Sequence, residues 1–342
     1  MHALLIDALT QLMTGRYIRA IRSAEQALSL EAVLASVRTS DDAPLRHAPQ
    51  LRALAHLLAA ESAQALRDRD TRERHVQATQ EIVASHSGET VIEAGEAVAL
   101  SAARWALSDR DAAQALRWLD ALRQGTVRRT LTQRLRLKAA RLSQQPLQAL
   151  ETARQLAKHG AFSATAADAL LRELAVATLA QAHDAAQIER AWQQLGSNER
   201  ALPEVVLYAA ERLRQFGGEA PAVLVWVTPL WNRWLLEPDA IGPLLRERLV
   251  ALLSQTLAQM PADAEWLASI ERAQQAYPRA GELQFLAGMV CWHHALWGKA
   301  QQLLEQAVAQ VSSPELRRQA WCHLARLAEQ REDAARALNC WK

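Results

Sequence analysis

The side chains most able to bind a ligand lie in one basic stretch of the sequence. Between Ala121 and Leu150 there is no Asp or Glu, and seven cations give the segment a charge of +7: Arg123, Arg128, Arg129, Arg134, Arg136, Lys138 and Arg141. Guanidinium groups bind carboxylates and phosphates through paired hydrogen bonds. The stretch therefore predicts a binding surface for an acidic peptide or a carboxylate-bearing ligand; the alternative is that these are ordinary solubilising side chains.

Three of these cations recur at helical spacing. Arg134, Lys138 and Arg141 follow at i, i+4 and i+7, which places them on one face of a helix. We predict that this face lines a concave groove, with Arg104 and Arg214 from other helix pairs on the same side. Nucleic acid is not a predicted partner, because no aromatic residues are interleaved with the basic ones.

The tryptophans give a second set of contact predictions. The sequence has 11 Trp but only 3 Phe and 3 Tyr. Trp226, Trp297 and Trp341 recur at aromatic positions of a repeat and are predicted to be core residues. The remaining tryptophans of the C-terminal half that no repeat position explains are predicted to face a partner: Trp231, Trp234 and Trp292.

Cysteine and histidine cluster near the C-terminus. Cys291 and His293 lie in one predicted helix, and Cys322 and His323 lie in the next helix pair. A zinc site usually has Cys at CxxC spacing or His at i, i+4, and neither pattern occurs here. The interpretation is structural packing with no metal and no cofactor. The alternative is a haem site with Cys291, His293 or His323 as ligands.

No catalytic motif is present in the sequence. The motifs GxGxxG, GxxxxGK[ST], GxSxG and HExxH, which position phosphates, nucleophiles or zinc, are all absent. We therefore predict a binding protein rather than an enzyme.

Composition predicts an all-α chain. Its 342 residues include only 12 Gly and 11 Pro, too few for the closely spaced turns of a β-sandwich or the glycine-rich turns of a doubly wound α/β fold. The net charge of +2 does not indicate nucleic acid or an anionic membrane as a partner. Three cysteines confined to the C-terminal part are typical of a reducing compartment.

Small residues recur with one spacing at both ends of the chain. Ala8, Ala20 and Ala27 surround a turn at Gly15, and the same intervals separate Gly288, Ala300 and Ala307. A helix-turn-helix unit of about 34 residues with small residues at the helix crossing resembles the tetratricopeptide repeat (TPR). The resemblance implies a right-handed superhelical solenoid that forms one helical-repeat domain over residues 1–342. The predicted pairs number about nine: 1–36, 49–87, 92–124, 130–160, 164–197, 203–236, 241–277, 281–311 and 316–342. The most regular lie at 1–36 and 281–342, and less regular ones at 49–277.

The C-terminal repeats resemble one family more closely. The segments 283–291, 296–305 and 324–329, together with Gly15-Arg16-Tyr17, resemble the HemY family of proteobacterial inner-membrane TPR proteins associated with protohaem biosynthesis. The resemblance implies a non-catalytic scaffold supporting haem or porphyrin biosynthesis, with haem-pathway enzymes as protein partners. It also implies that this chain is the soluble, cytoplasmic repeat region of a membrane-anchored protein. Two alternatives remain open, a direct haem or porphyrin binder and a TPR adaptor in envelope or lipopolysaccharide assembly.

Overall fold

A computed structural model describes residues 1–37, 48–86, 88–260 and 263–341. Within these ranges the chain forms twenty α-helices and one 3-10 turn, and it contains no β-strand. The prediction of an all-α fold is confirmed. Residues 38–47, which separate the first two predicted pairs, and Ser87, the last residue of the second pair, lie outside the described residues.

Helices α1 to α9 are His2–Met13, Tyr17–Val37, Ala48–Leu66, Arg69–Ser85, Glu89–Ser108, Ala112–Asp120, Gln124–Val127, Thr130–Leu142 and Pro146–Lys158. Helices α10 to α14 are Ala164–Ala180, Ala185–Gln194, Ser197–Arg200, Pro203–Gln215 and Ala220–Leu236. A 3-10 turn at Pro238–Ala240 precedes helices α15 to α20, which are Pro243–Leu257, Ala264–Ala276, Gly281–His293, Trp297–Gln310, Pro314–Gln330 and Ala334–Trp341.

The long helices form nine consecutive pairs within the described residues. Their bounds agree with the nine predicted pairs to within a few residues, and only α7, α12 and the 3-10 turn stand between pairs. The small residues that define the repeat lie where two helices cross, since Ala8, Ala20 and Ala27 have no exposed surface. The chain is therefore built from TPR-like helix pairs.

Left-handed backbone at one residue closes many of the turns inside the pairs. Gly15, between α1 and α2, has φ +76°, and a Cβ there would meet no heavy atom within 4 Å. The glycine is therefore favoured by the backbone angle and not by crowding. Gln144 adopts φ +55° in the α8–α9 turn, so the same turn also forms without glycine.

The chain divides into two compact units, Met1–Ala167 and Asp168–Lys342, and the boundary falls within α10. In the first unit α1 packs against α3, α3 against α5, and α5 against α8. These four helices are the first members of their pairs and form one layer, which we name the first-helix layer. The second members, α2, α4, α6 and α9, pack against it. That the whole chain forms one domain stays a prediction.

The structure corrects the predicted roles of several tryptophans. Trp231 and Trp234 are 1% and 4% exposed, so the prediction that they face a partner is wrong. Trp231 packs within 5.8 Å of Trp266, measured between ring centroids, and its Nε1 donates a hydrogen bond to Ser269. Pro229 lies inside α14 without ending it, so the helix carries both rings into the core.

Two tryptophans predicted as core are instead at the surface. Trp297 is 38% exposed and Trp341 is 50% exposed. They are the first residue of α18 and the last residue of α20, and a residue at a helix end has fewer neighbours to cover it. Trp226 is half-buried and stacks on Trp192 at 4.8 Å between ring centroids, which agrees with its predicted packing role.

Candidate functional site

The predicted basic residues Arg134, Lys138 and Arg141 share the exposed side of α8. The opposite side carries the buried residues Ala139 and Ala140, and Ala139 packs with Leu107 of α5 and Ala115 of α6. The structure therefore brings these three cations together on the outer surface of the first-helix layer. We name this surface the basic face.

The cations of the basic stretch differ in how their charge is compensated. Arg123 forms an ion pair with Glu89 at 3.1 Å, and Arg136 forms one with Asp120 at 2.6 Å. These two guanidinium groups are thus partly neutralised by carboxylates from outside the basic stretch.

Two cations of the basic face, Arg134 and Lys138, retain more of their charge. Arg134 donates a hydrogen bond of 3.0 Å to the carbonyl oxygen of Ala161, which holds the guanidinium in place but carries no formal charge. Lys138 is exposed and makes no ion pair with any residue that the structure describes. An anionic ligand at the basic face would therefore not have to displace a carboxylate from Lys138 or Arg134.

Arg104 lies in the same layer but is paired. Its Nη2 is 2.5 Å from Glu61 Oε1, and the same oxygen accepts a hydrogen bond from Ser101 at 2.7 Å. Glu61 Oε2 accepts a further hydrogen bond from Trp105 Nε1 at 3.1 Å. The predicted groove residue Arg104 therefore contributes little net positive charge to the surface.

The predicted groove residues Arg214 and Trp292 belong to the second unit. Arg214 is half-buried at the end of α13, and its buried Nε makes no hydrogen bond. Trp292 is half-buried between Trp297 and His323, with ring centroids 5.1 and 5.0 Å away. Their part in partner binding stays a prediction.

The candidate haem ligands do not converge on a site that fits a porphyrin. Cys291 is buried and lines a cavity of about 200 Å³ together with Lys299, Glu271 and His294. That volume is below the range of about 300–1,000 Å³ that is typical of pockets for drug-sized ligands. Burial raises the pKa of the Cys291 thiol, and nearby Lys299 opposes the shift without reversing it.

The other two candidate haem ligands, His293 and His323, do not line that cavity. Burial lowers the pKa of His323 to about 4, with further contributions from Arg326 and His293. Burial also lowers the pKa of His293, and His294 adds to the effect. Within the described ranges no group of three or more His, Cys, Asp or Glu residues could hold a metal ion.

A second surface of the first-helix layer was not predicted. Ile6 and Leu9 on α1 and Leu54 on α3 are 66%, 49% and 42% exposed, and they line a shallow depression of about 170 Å³ between the two helices. We name these three residues the apolar face. The sequence does contain a signal for this surface. A helix that packs on one side needs one apolar stripe, and the apolar residues of α1 cover more of the helix than one stripe.

Comparison with known proteins adds no family. No protein-family model matches the chain, and no curated protein matches it. Among solved structures, the TPR domain of P58(IPK) is 14% identical, and the alignment covers 96% of this chain and 98% of that one with a TM-score of 0.26. A TM-score this low carries no argument, so the assignment to a helical-repeat class rests on the nine helix pairs themselves. Among the described residues no helix is both long enough and apolar enough to cross a membrane.

Proposed function

We propose that this chain is a non-catalytic protein-interaction scaffold whose basic face binds an acidic segment of a partner protein. The observation that carries the proposal is the exposed row of Arg134, Lys138 and Arg141 on one side of α8. Lys138 has no carboxylate partner among the described residues, and Arg134 is held only by a carbonyl. Arginine side chains that are already positioned lose less conformational entropy when they bind a carboxylate.

A helical layer of this kind suits an extended segment better than a small molecule. The basic face spans two turns of α8 and is open to solvent, whereas pockets for small ligands enclose most of the ligand surface. An acidic peptide can place successive carboxylates opposite successive cations. The exposed location also implies modest affinity, since each solvent-exposed ion pair contributes only about 0.2–1 kcal/mol.

The test is binding of a fluorescein-labelled peptide containing a run of Glu and Asp, followed by fluorescence anisotropy. Substitution of Arg134, Lys138 and Arg141 by Glu should weaken binding by about 30-fold or more, because three attractive pairs become repulsive. The melting temperature should stay within about 2 °C of the unmodified protein, since all three side chains are exposed.

A matched control reverses three exposed arginines before and on α2, in the same unit but in the other helix layer: Arg16, Arg19 and Arg22. This variant undergoes the same change in net charge and should bind the peptide almost as well as the unmodified protein. Equal loss in both variants would show a general charge effect, and unchanged binding in the α8 variant would rule out the basic face.

A role in haem or porphyrin biosynthesis at the inner membrane is the more specific part of the proposal. It is supported by the resemblance of segments 283–291, 296–305 and 324–329 to the HemY family. Cross-linking of the full-length protein in its native membrane, with and without the α8 charge reversal, tests this part. Charge-sensitive recovery of haem-pathway enzymes is the expected result, and recovery of lipopolysaccharide enzymes alone would favour an adaptor in envelope assembly.

A further inference from the structure

The apolar face is exposed although the fold does not need it. Next to these residues on α1, Leu5 and Ala8 are 5% and 0% exposed and pack with Ala24 and Ala27 of α2. The core contact of α1 is therefore complete without Ile6, Leu9 or Leu54. Adjacent apolar side chains that stay exposed beside a depression are typical of a binding surface.

The apolar face and the basic face belong to one continuous layer. Leu54, Leu58 and Glu61 follow at i, i+4 and i+7 on α3, so they share one face of that helix. Glu61 in turn binds Arg104 of α5, and α5 packs against α8. A segment lying across the layer would meet the depression between α1 and α3 first, then Arg104, and then the basic face.

We propose that a single extended segment of the partner occupies both faces, with two apolar residues at the α1–α3 depression and an acidic run at α8. This inference rests on the proposed function, because it takes the basic face as the site of the acidic run. Charge complementarity selects the occupant. The three residues of the apolar face carry no charge and favour binding of apolar side chains, whereas the basic face favours binding of anionic ones.

The layer also predicts the spacing of the two parts of the ligand. Packed helices lie about 8–10 Å apart, and two to three such steps separate the depression from α8. The span is therefore about 20–30 Å. An extended chain advances about 3.3 Å per residue, so about six to nine residues must connect the apolar pair to the acidic run.

The experiment compares three labelled peptides by fluorescence anisotropy. The first has the acidic run alone, the second has two leucines joined to that run by about eight Gly and Ser residues, and the third has a linker of about two residues. The second peptide should bind about tenfold more tightly than the first, and the third should bind no better than the first, because its leucines cannot reach the depression.

Variants assign the gain to particular residues. Replacing Ile6 and Leu9 by Gln should remove the tenfold gain and leave the affinity of the acidic peptide unchanged. Val225 of α14, which is 69% exposed in the second unit, provides the matched control, and Val225→Gln should preserve the gain. Melting curves should show that both variants stay folded, since the substituted side chains are exposed.

The outcomes separate this inference from the proposed function. Failure of the acidic peptide to bind overturns both. Binding of the acidic peptide without a gain from the leucines, or a gain that survives Ile6→Gln with Leu9→Gln, overturns the inference alone. Sedimentation that shows a dimer of the unmodified protein and a monomer of the Gln variant would assign the apolar face to a second copy of the chain and would also overturn the inference.

Discussion

The apolar face and the basic face differ completely in chemistry, yet the helices beneath them are held in the same way. On α1 the buried contact is made by Ala8, and on α8 by Ala139, and neither residue has any exposed surface. Small residues allow the helix backbones to approach closely, so packing is settled on the inner side of each helix. The outer side is then free to carry isoleucine and leucine in one pair and arginine and lysine in another.

The largest expected effect comes from comparing how substitutions at a buried and at an exposed position of the same helix change the free energy of unfolding. Ala139→Glu should destabilise the protein by about 3–5 kcal/mol, because it buries an unpaired charge where the backbones are close. Lys138→Glu, on the exposed neighbour, should change stability by no more than about 0.5 kcal/mol. Urea denaturation monitored by circular dichroism measures both. A large effect at Lys138 would mean that the basic face is part of the core.

The two regions should also respond differently to acid. His56 of α3 and His75 of α4 approach within 2.9 Å between their Nδ1 atoms. Burial, together with smaller contributions from His75 and Arg52, lowers the pKa of His56 to about 4. Burial is also the main cause of the lowered pKa of His75, which Arg74 reinforces and Glu25 opposes. No histidine lies within α8 or α9.

Unfolding returns His56 to its ordinary pKa of 6.5, so the unfolded chain takes up protons first as the pH falls. Stability should therefore be complete above about pH 6.5 and decline towards pH 4. Because solvent screens a partly exposed ring, His56 accounts for about 1–2 kcal/mol of this loss. Hydrogen exchange at about pH 5 should accelerate in α3 and α4 before α8 and α9, and His56→Gln should reduce the difference. Uniform acceleration would contradict this assignment.

Salt should separate the two faces in binding. Raising NaCl from about 50 to about 300 mM screens charges at the basic face and should weaken binding of the acidic peptide by about five- to tenfold. The additional gain from the leucine-bearing peptide should stay nearly constant, because apolar burial does not depend on screening. A gain that falls in parallel with the acidic affinity would show that the leucines do not occupy a separate apolar surface.

The smallest effect on stability is expected at the turns that follow α1 and α8, the helices that carry the two faces. Gly15→Ala should cost about 1 kcal/mol, because φ +76° is unfavourable for a residue with a Cβ although no neighbouring atom blocks it. A melting curve detects the change. The turn beside the basic face already carries Gln144 at φ +55°, so the two pairs differ in how much of this strain they contain. An unchanged melting temperature after Gly15→Ala would show that the turn relaxes.

Local sequence patterns were sufficient to predict the helix pairs. The intervals among Ala8, Gly15, Ala20 and Ala27 predict both the turn and the crossing, because a helix pair is a local unit closed by residues near in sequence. The basic face was predicted for the same reason, since Arg134, Lys138 and Arg141 lie within two turns of one helix.

Contacts between residues that are far apart in the sequence could not be predicted in this way. Arg123 pairs with Glu89, which lies 34 residues earlier, and Arg104 pairs with Glu61, which lies 43 residues earlier. Counting charges within one stretch therefore overestimates the charge that the folded surface presents. Burial of Trp231 could not be predicted for the same reason, since it depends on contacts with Trp266 and Ser269 of another helix.

The contacts of Glu61 have a consequence for recognising partners of this protein. Glu61 lies between the apolar face and the basic face, and its two carboxylate oxygens accept hydrogen bonds from Ser101, Arg104 and Trp105. These polar groups already bind one another and therefore offer few hydrogen bonds to a ligand. The part of a ligand that crosses this region would be constrained in length but hardly in sequence. Aligned partner segments should then show two preserved blocks, one apolar and one acidic, separated by a spacer whose residues vary while their number does not.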